Sequence, residues 1–302
     1  MALPKVILYY AFTPISDTAV IKVWQKFLCQ SLNLKGRIII SPQGINGTLG
    51  GDIDDLKKYT RQTRSYEGLA KIKFKWSDGT GDDFPKLSVK VRPELVAFGN
   101  PNEIKVDKNG VIGGGKHLKP FEVDELVAKR GDDVIFFDGR NSFEAQVGRF
   151  KNAVVPDTAT TRDFVSEIES GKYDHLKDKP IVTYCTGGIR CEVLSAVMKT
   201  RGFKEVYQID GGIVTYGKEI GDDGLWEGAL HTFDNRMSLK FSARSKSIGQ
   251  CKDCSGPATR FYDCPKVPCN ALNLLCAKCA QGMSSQVCNH PQRKYSNAEL
   301  IG

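Results

Sequence analysis

With 302 residues, 40% of them hydrophobic and 26% charged, the chain is long enough for about two domains and too apolar to be disordered throughout. Its longest early apolar run, from Val6 to Phe12, is far short of the roughly 20 residues a membrane helix needs. No basic stretch with a small-residue cleavage site accompanies that run, so neither a membrane span nor export is expected, and the protein reads as soluble and cytoplasmic.

From residue 1 to 95 strand and helix signals alternate. Val6 to Phe12 reads as a buried strand, and Pro14-Ile15-Ser16-Asp17 supplies a break and a helix cap. Ala19 to Leu32 follows with Val20, Val23, Trp24, Phe27, Leu28 and Leu32 at helical spacing, which predicts the buried face. Ile38-Ile39-Ile40 marks a strand, Gly44-Ile45-Asn46-Gly47 a turn, and Thr48-Leu49 a short strand. Ile53 to Arg64 reads as a polar helix. Lys71 to Trp76 and Leu87 to Val91 alternate apolar and polar residues, the period of half-exposed strands. The order β-α-β-β-α-β predicts a ferredoxin-like α+β domain that serves folding or substrate docking.

Residues 96–118 carry the breakers Asn100-Pro101-Asn102 and Gly113-Gly114-Gly115 and read as a linker. Residues 119–228 read as an α/β domain. Its helices are expected at Pro120–Arg130, Asp163–Ser170 and Cys191–Thr200. Its strands are expected at Val134–Phe137, Pro180–Tyr184 and Glu205–Ile209; the first is wholly apolar and the second reads as buried, which suits a parallel sheet covered on both faces.

Residues 229–302 form a basic, Cys-rich tail. From Arg236 onward ten basic side chains face three acidic ones, so most of the net charge of +8 lies here and a polyanionic partner is expected, nucleic acid first. Seven of the 10 cysteines fall between Cys251 and Cys288. Without an export signal they point to metal or redox chemistry rather than disulfides. Cys251-x2-Cys254 and Cys276-x2-Cys279 are two ligand pairs separated by 21 residues, a little beyond the zinc-ribbon gap of about 15–20. One tetrahedral structural zinc is the leading reading. Cys264, Cys269, Cys288 and His290 could complete a second site or be spare thiols. Phe261 and Tyr262 are candidate stacking platforms for bases, or core.

The sharpest local feature is a strand running into Cys185-Thr186-Gly187-Gly188-Ile189-Arg190 and then a helix. This puts one thiol at the C-terminal end of a strand, where α/β sheets bind ligands. Two glycines let the backbone curl, so that amides and the helix N-terminus converge on the sulfur and favour an anion there. The thiol pKa should fall below its ordinary value of about 8.5. Arg190 is expected to offer an oxyanion a fixed charge. Cys191 is either a resolving thiol for an oxidised Cys185 or a small buried hydrophobe. Asp138 and Arg140 are expected to support the loop structurally.

These residues carry a resemblance. Asp138-Gly139-Arg140, Phe150-Lys151-Asn152-Ala153, Cys185–Arg190 and Asp210-Gly211-Gly212 together resemble the rhodanese domain. Four residues stand between Cys185 and Arg190, as in rhodanese-type sulfurtransferases. Related cysteine phosphatases carry a loop one residue longer, so phosphatase activity is not expected. Ile213 stands where many rhodaneses have Trp, a difference of packing. Adding Ser41-Pro42-Gln43-Gly44-Ile45-Asn46-Gly47-Thr48 in the first domain, and the tail, the whole order is similar to the rhodanese-like tRNA uridine 5-hydroxylase family. The resemblance implies formation of 5-hydroxyuridine at wobble position 34 in the anticodon region of tRNA, with molecular oxygen as co-substrate and Cys185 as the working thiol. No haem, flavin or iron motif is evident, and no organic cofactor is expected. The alternatives are a thiosulfate-type sulfurtransferase or persulfide carrier, and a non-catalytic tRNA-binding module.

Overall fold

The computed structural model describes residues 3–266, 269 and 271–282, in two compact units. The first contains the residues up to Gly114 together with Asp234–Arg236, and the second contains the rest.

In the first unit β1 (Pro4–Phe12), α1 (Thr18–Ser31), β2 (Lys35–Ser41), β3 (Gly44–Asp52), α2 (Ile53–Arg64) and β4 (Lys73–Asp78) follow in that order. The strands lie in the order β4-β1-β3-β2, the ferredoxin-like arrangement, and β5 (Leu87–Val91) adds a fifth strand parallel to β2. Both helices cover one face, over a core that includes Ile7, Ile38, Ile40, Ile45, Leu49 and Leu56. Asp17 caps α1 by accepting the Val20 N–H at 2.9 Å. Asp52 caps α2 in the same way, and Asp54 and Asp55 complement its N-terminal dipole. Arg236 forks onto Asp234 and donates to Ser77 Oγ and the Asp78 carbonyl, which ties that short segment to the first unit.

Two local expectations fail here. The buried face of α1 is Ile21, Gln25, Leu28 and Cys29, whereas Val20, Val23 and Phe27 are 59–70% exposed. Gln25 enters the core because its Oε1 accepts the Tyr59 hydroxyl at 2.5 Å, so a polar residue occupies a position that periodicity assigns to solvent. Gly44 to Gly47 is no turn. Gly44 already pairs with Phe12 and Ser41 as the first residue of β3, so the reversal is the tight Pro42-Gln43 corner. Its glycine is required by a positive φ and by strand crowding, since a Cβ would lie 2.0 Å from the Ala11 carbonyl oxygen.

The small hairpin of β6 (Val106–Asp107) and β7 (Gly110–Val111) closes the first unit. The second unit begins with β8 (Lys116–Leu118), α3 (Pro120–Arg130), β9 (Ile135–Asp138), β10 (Gly148–Phe150) and α4 (Asp163–Glu169). It continues with β11 (Pro180–Tyr184), α5 (Ile189–Thr200), β12 (Glu205–Ile209) and α6 (Gly212–Glu219). The sheet order is β8-β12-β11-β9, every pair parallel. All five residues of β11 are buried, as an apolar strand with helices on both faces must be. Burying Ile181 or Val182 contributes about 1.5–3 kcal/mol each. Because the strands are parallel, Asp138, Tyr184 and Ile209 end at one edge, and the segments that follow them converge.

The remainder is β13 (Trp226–Gly228) paired with β10, β14 (Leu230–His231) paired with β15 (Ser238–Leu239), the hairpin of β16 (Arg260–Asp263) and β17 (Leu272–Leu275), and α7 (Ala277–Gln281). Among the described residues no helix is long and apolar enough to cross a membrane.

Candidate active site and metal centre

Cys185 follows β11 directly, and the chain curls from it into α5. Gly188 makes the curl possible: its φ is +99°, a left-handed value that suits glycine, and it caps α5. Its N–H then donates to Cys185 Sγ at 3.2 Å. The N-terminus of α6 holds the same loop from the other side, with Ile213 N–H on the Cys185 carbonyl and Val214 N–H on the Thr186 carbonyl, each at 3.0 Å. Ile213 itself is fully buried, consistent with a packing role.

Burial pushes the Cys185 thiol up, but the Cys191 thiol, the Arg190 charge and the Cys191 and Arg190 amides outweigh it and bring it down to about 6. The ring of amides and the helix N-terminus thus stabilise a thiolate, as the sequence leads one to expect. Cys191 lies in the first turn of α5, fully buried, against the Cys185 sulfur. Burial and the neighbouring Cys185 raise its own pKa, so it stays protonated and can donate its S–H. Thr186, Gly187, Gly188, Ile189, Arg190 and Cys191 are therefore assembled around one sulfur.

Arg190 differs from the expectation. Rather than presenting its charge to an incoming oxyanion, the guanidinium clasps Glu144 through Nη1 at 2.6 Å and Nη2 at 3.1 Å, and Nη2 also donates to Thr186 Oγ1 at 3.2 Å. It braces the loop. Glu144 is fully buried in the short 3-10 turn Ser142–Gln146, where its Oε1 also accepts the Asn141 N–H at 3.0 Å. Burial pushes the Glu144 carboxyl up, and the Arg190 charge more than reverses this and keeps it ionised. No sequence motif singles out Glu144. A lone Glu opening a helical turn after Asn141 reads as a capping residue, which it also is.

Asp138 and Arg140 form a second buried pair beneath the loop, with Nε to Oδ1 at 2.9 Å and Nη2 to Oδ2 at 2.6 Å. Tyr184, the residue before Cys185, donates its hydroxyl to Asp138 Oδ2 at 2.8 Å, and Gly139 N–H donates to the Tyr184 carbonyl at 2.8 Å. Arg140 also reaches the Gly148 carbonyl at 2.8 Å and lies over the Tyr184 and Trp226 rings. This pair joins the ends of β9 and β11 and touches the loop through Tyr184.

The sequence also misses His231, buried on β14 between the edges of Phe143, Phe233 and Phe261. Burial lowers its pKa, and the charges of Arg140 and Arg190 lower it further against the pull of Glu144. It is a neutral wedge in an aromatic cluster.

In the tail, the sulfurs of Cys251, Cys254, Cys276 and Cys279 all lie within 4.8 Å of one another. The spacing between Cys254 Sγ and Cys276 Sγ is 3.8 Å. Four thiolates about 2.3 Å from a tetrahedral zinc have edges of about 3.8 Å, so this donor set fits a thiophilic ion. Cys279 N–H points at Cys276 Sγ at 3.5 Å, a bond that favours the thiolate. Cys264 and Cys269 are buried outside this group, and Cys288 and His290 lie outside the described residues. Phe261 is core rather than platform: it is 3% exposed, packed with Val147, Ala258, Leu274 and Leu275. Tyr262 is half-buried, with Arg260 over its ring.

Comparison with known proteins agrees with this architecture. Residues 4–95 match the family model for the UPF0176 acylphosphatase like domain, residues 122–219 the rhodanese-like domain, and residues 227–292 the rhodanase C-terminal. A protein of Corynebacterium glutamicum (strain R) named tRNA uridine(34) hydroxylase is 61% identical over 289 residues, covering 95% of this chain and 93% of that one. A protein of the same name from Corynebacterium jeikeium is 58% identical over 99% of this chain and 96% of its own. Another from Rhodococcus jostii is 59% identical over 93% of this chain and 99% of its own. At such identity along nearly the whole length, the chain belongs to the tRNA uridine(34) hydroxylase family.

Proposed function

We propose that this protein hydroxylates carbon 5 of uridine 34 in the anticodon loop of tRNA, with Cys185 as the catalytic thiol and molecular oxygen as co-substrate. The observation that carries this reading is the Gly188 N–H on Cys185 Sγ at 3.2 Å, within a loop that holds the thiol pKa at about 6. A thiolate is what the chemistry needs. Carbon 5 of uridine is a poor nucleophile until a thiolate adds to carbon 6 and makes carbon 5 enolate-like. Carbon 5 then takes one oxygen atom originating from molecular oxygen. Loss of its proton and expulsion of the Cys185 thiolate restore the ring as 5-hydroxyuridine. Reduction of the second oxygen atom to water consumes two electrons and two protons from an external reductant. Gly187, Gly188 and the α5 N-terminus hold the thiolate, Arg190 with Glu144 and Thr186 fixes the loop, and Asp138 with Arg140 anchors the strand ends beneath it.

The basic tail supplies phosphate contacts to tRNA, in keeping with its ten basic side chains against three acidic. A structural zinc is held by Cys251, Cys254, Cys276 and Cys279. The enzyme works in the cytoplasm, where its substrate is. The deciding experiment is mass spectrometry of nucleosides from tRNA of cells lacking this gene and any second route to 5-hydroxyuridine. Wild type should restore the nucleoside and Cys185→Ser should not. Restoration by Cys185→Ser removes the thiol from the mechanism. Restoration by neither, with brisk thiosulfate-to-cyanide sulfur transfer, makes the loop a persulfide carrier.

A further inference from the structure

The four-cysteine centre is packed directly behind the turn that carries Glu144. Among the described residues, the β16–β17 hairpin and the segment entering Cys251 bury only Cys251, Ala258, Phe261, Leu274 and Leu275, in a cluster that also takes in Val147 and has Phe143 and Met237 packed against it. Val147 and Phe143 flank Glu144 on either side in the sequence. The Phe143 ring meets Phe261 edge-on, with centroids 5.3 Å apart, and meets His231 at the same distance. The backbones also close tightly. A Cβ on Gly249 would lie 2.3 Å from the Ala258 carbonyl oxygen and 3.2 Å from that of Gln146, the last residue of the turn. Glu144, between Phe143 and Val147 in the sequence and itself fully buried, is paired with Arg190, which in turn holds Thr186 of the loop.

We propose that metal bound by the four cysteines sets the shape of the catalytic loop, acting through Phe143 and Glu144 as positioning residues. The inference rests on the zinc reading given above. A hairpin this small does not pay its folding entropy from so few apolar side chains, so the ion supplies the missing free energy. When the ion leaves, the hairpin loosens and Phe261 withdraws from Phe143. Water then reaches Glu144, where the ion pair with Arg190 is strong because water is excluded. Arg190 slackens, and with it residues 186–190. β11 is fully buried and paired on both sides, with β9 and β12, so it keeps its structure.

Hydrogen–deuterium exchange with mass spectrometry tests the path on the full chain, in zinc-loaded and chelator-stripped protein whose metal content is measured by elemental analysis. Loaded protein should carry one zinc per chain. Stripping should speed exchange of the amides at 142–147 and 186–190 by about tenfold or more, leave those at 181–184 unchanged, and be reversed by returning zinc. Phe143→Ala with its zinc retained should loosen 186–190 by itself, and Phe143→Leu should restore protection. A zinc-bearing protein whose loop amides ignore both metal removal and Phe143→Ala would overturn the coupling while leaving the metal site intact. A loaded protein without metal overturns site and coupling together. Exchange reads the loop whatever the enzyme does to tRNA, so a failure of the hydroxylase reading stays separate from either result.

Discussion

Glu144 and Arg190 lie 46 positions apart and meet as a two-pronged ion pair whose carboxylate is completely buried. Removing one member of such a pair leaves the other charge without its partner. Glu144→Ala is therefore expected to lower folding stability by about 3–5 kcal/mol, read as a shifted urea midpoint. The folded carboxyl titrates below its ordinary range, because the Arg190 charge outweighs the burial that pushes it up. The stabilisation is thus present above the ordinary carboxylate range and lost as the pH falls through the depressed folded value. Glu144→Gln should flatten that acid limb. An unaltered acid limb in Glu144→Gln would remove Glu144 from the account.

The loop makes a direct statement about pH. The Cys185 thiol is brought down to about 6, so its thiolate is the minor form below that pH and the major form above it. Initial rates of tRNA hydroxylation at saturating tRNA should rise through about pH 6 and level off by neutrality. A rate that keeps climbing to the ordinary thiol range near 8.5 would mean that the amides and Arg190 do not depress this thiol.

How much of this was legible in the sequence depends on the range of the interaction. The bounds of α2, α3, β5, β11 and β12 follow from apolar runs, caps and breakers, all within a few residues of one another. The thiol loop was legible for the same reason, since every amide that faces Cys185 lies within six residues of it. Glu144 was not, because its meaning is a partner 46 positions away. The face of α1 was misassigned because Tyr59, on another helix, makes a buried place for Gln25. The paired cysteines announced a cluster of four sulfurs through spacing alone, yet nothing local to Phe261 distinguishes a core aromatic from a stacking platform.

Cys191 offers a graded test of the thiolate. Its S–H faces the Cys185 sulfur and favours the charged form. Cys191→Ala removes the donor, so the Cys185 pKa should rise and the rate at mildly acid pH should fall more than the rate at alkaline pH. Cys191→Ser keeps a donor at that position and should lie between wild type and Cys191→Ala. An equal loss at all pH values in Cys191→Ala would point to packing alone.

Gly212 separates crowding of the loop from backbone strain. Its φ is +67°, and a Cβ there would lie 2.4 Å from the Cys185 carbonyl oxygen, 2.6 Å from Gly188 N and 2.8 Å from the Gly187 carbonyl carbon. All three are backbone atoms of the Cys185 loop, so no flexible side chain can yield, and Gly212→Ala must displace the loop itself. Gly221 has nearly the same φ, +69°, with nothing within 4 Å of its would-be Cβ. Both alanine variants carry the cost of a left-handed non-glycine residue. Only Gly212→Ala moves the thiolate, and a displacement of about 1 Å costs a reaction on the order of 100-fold in rate. Turnover should therefore fall by roughly that factor in Gly212→Ala and stay near wild type in Gly221→Ala, with circular dichroism confirming that both fold. Equal activities in the two variants would show that the loop adapts to the added methyl group, and that its shape as found here is not what the reaction requires.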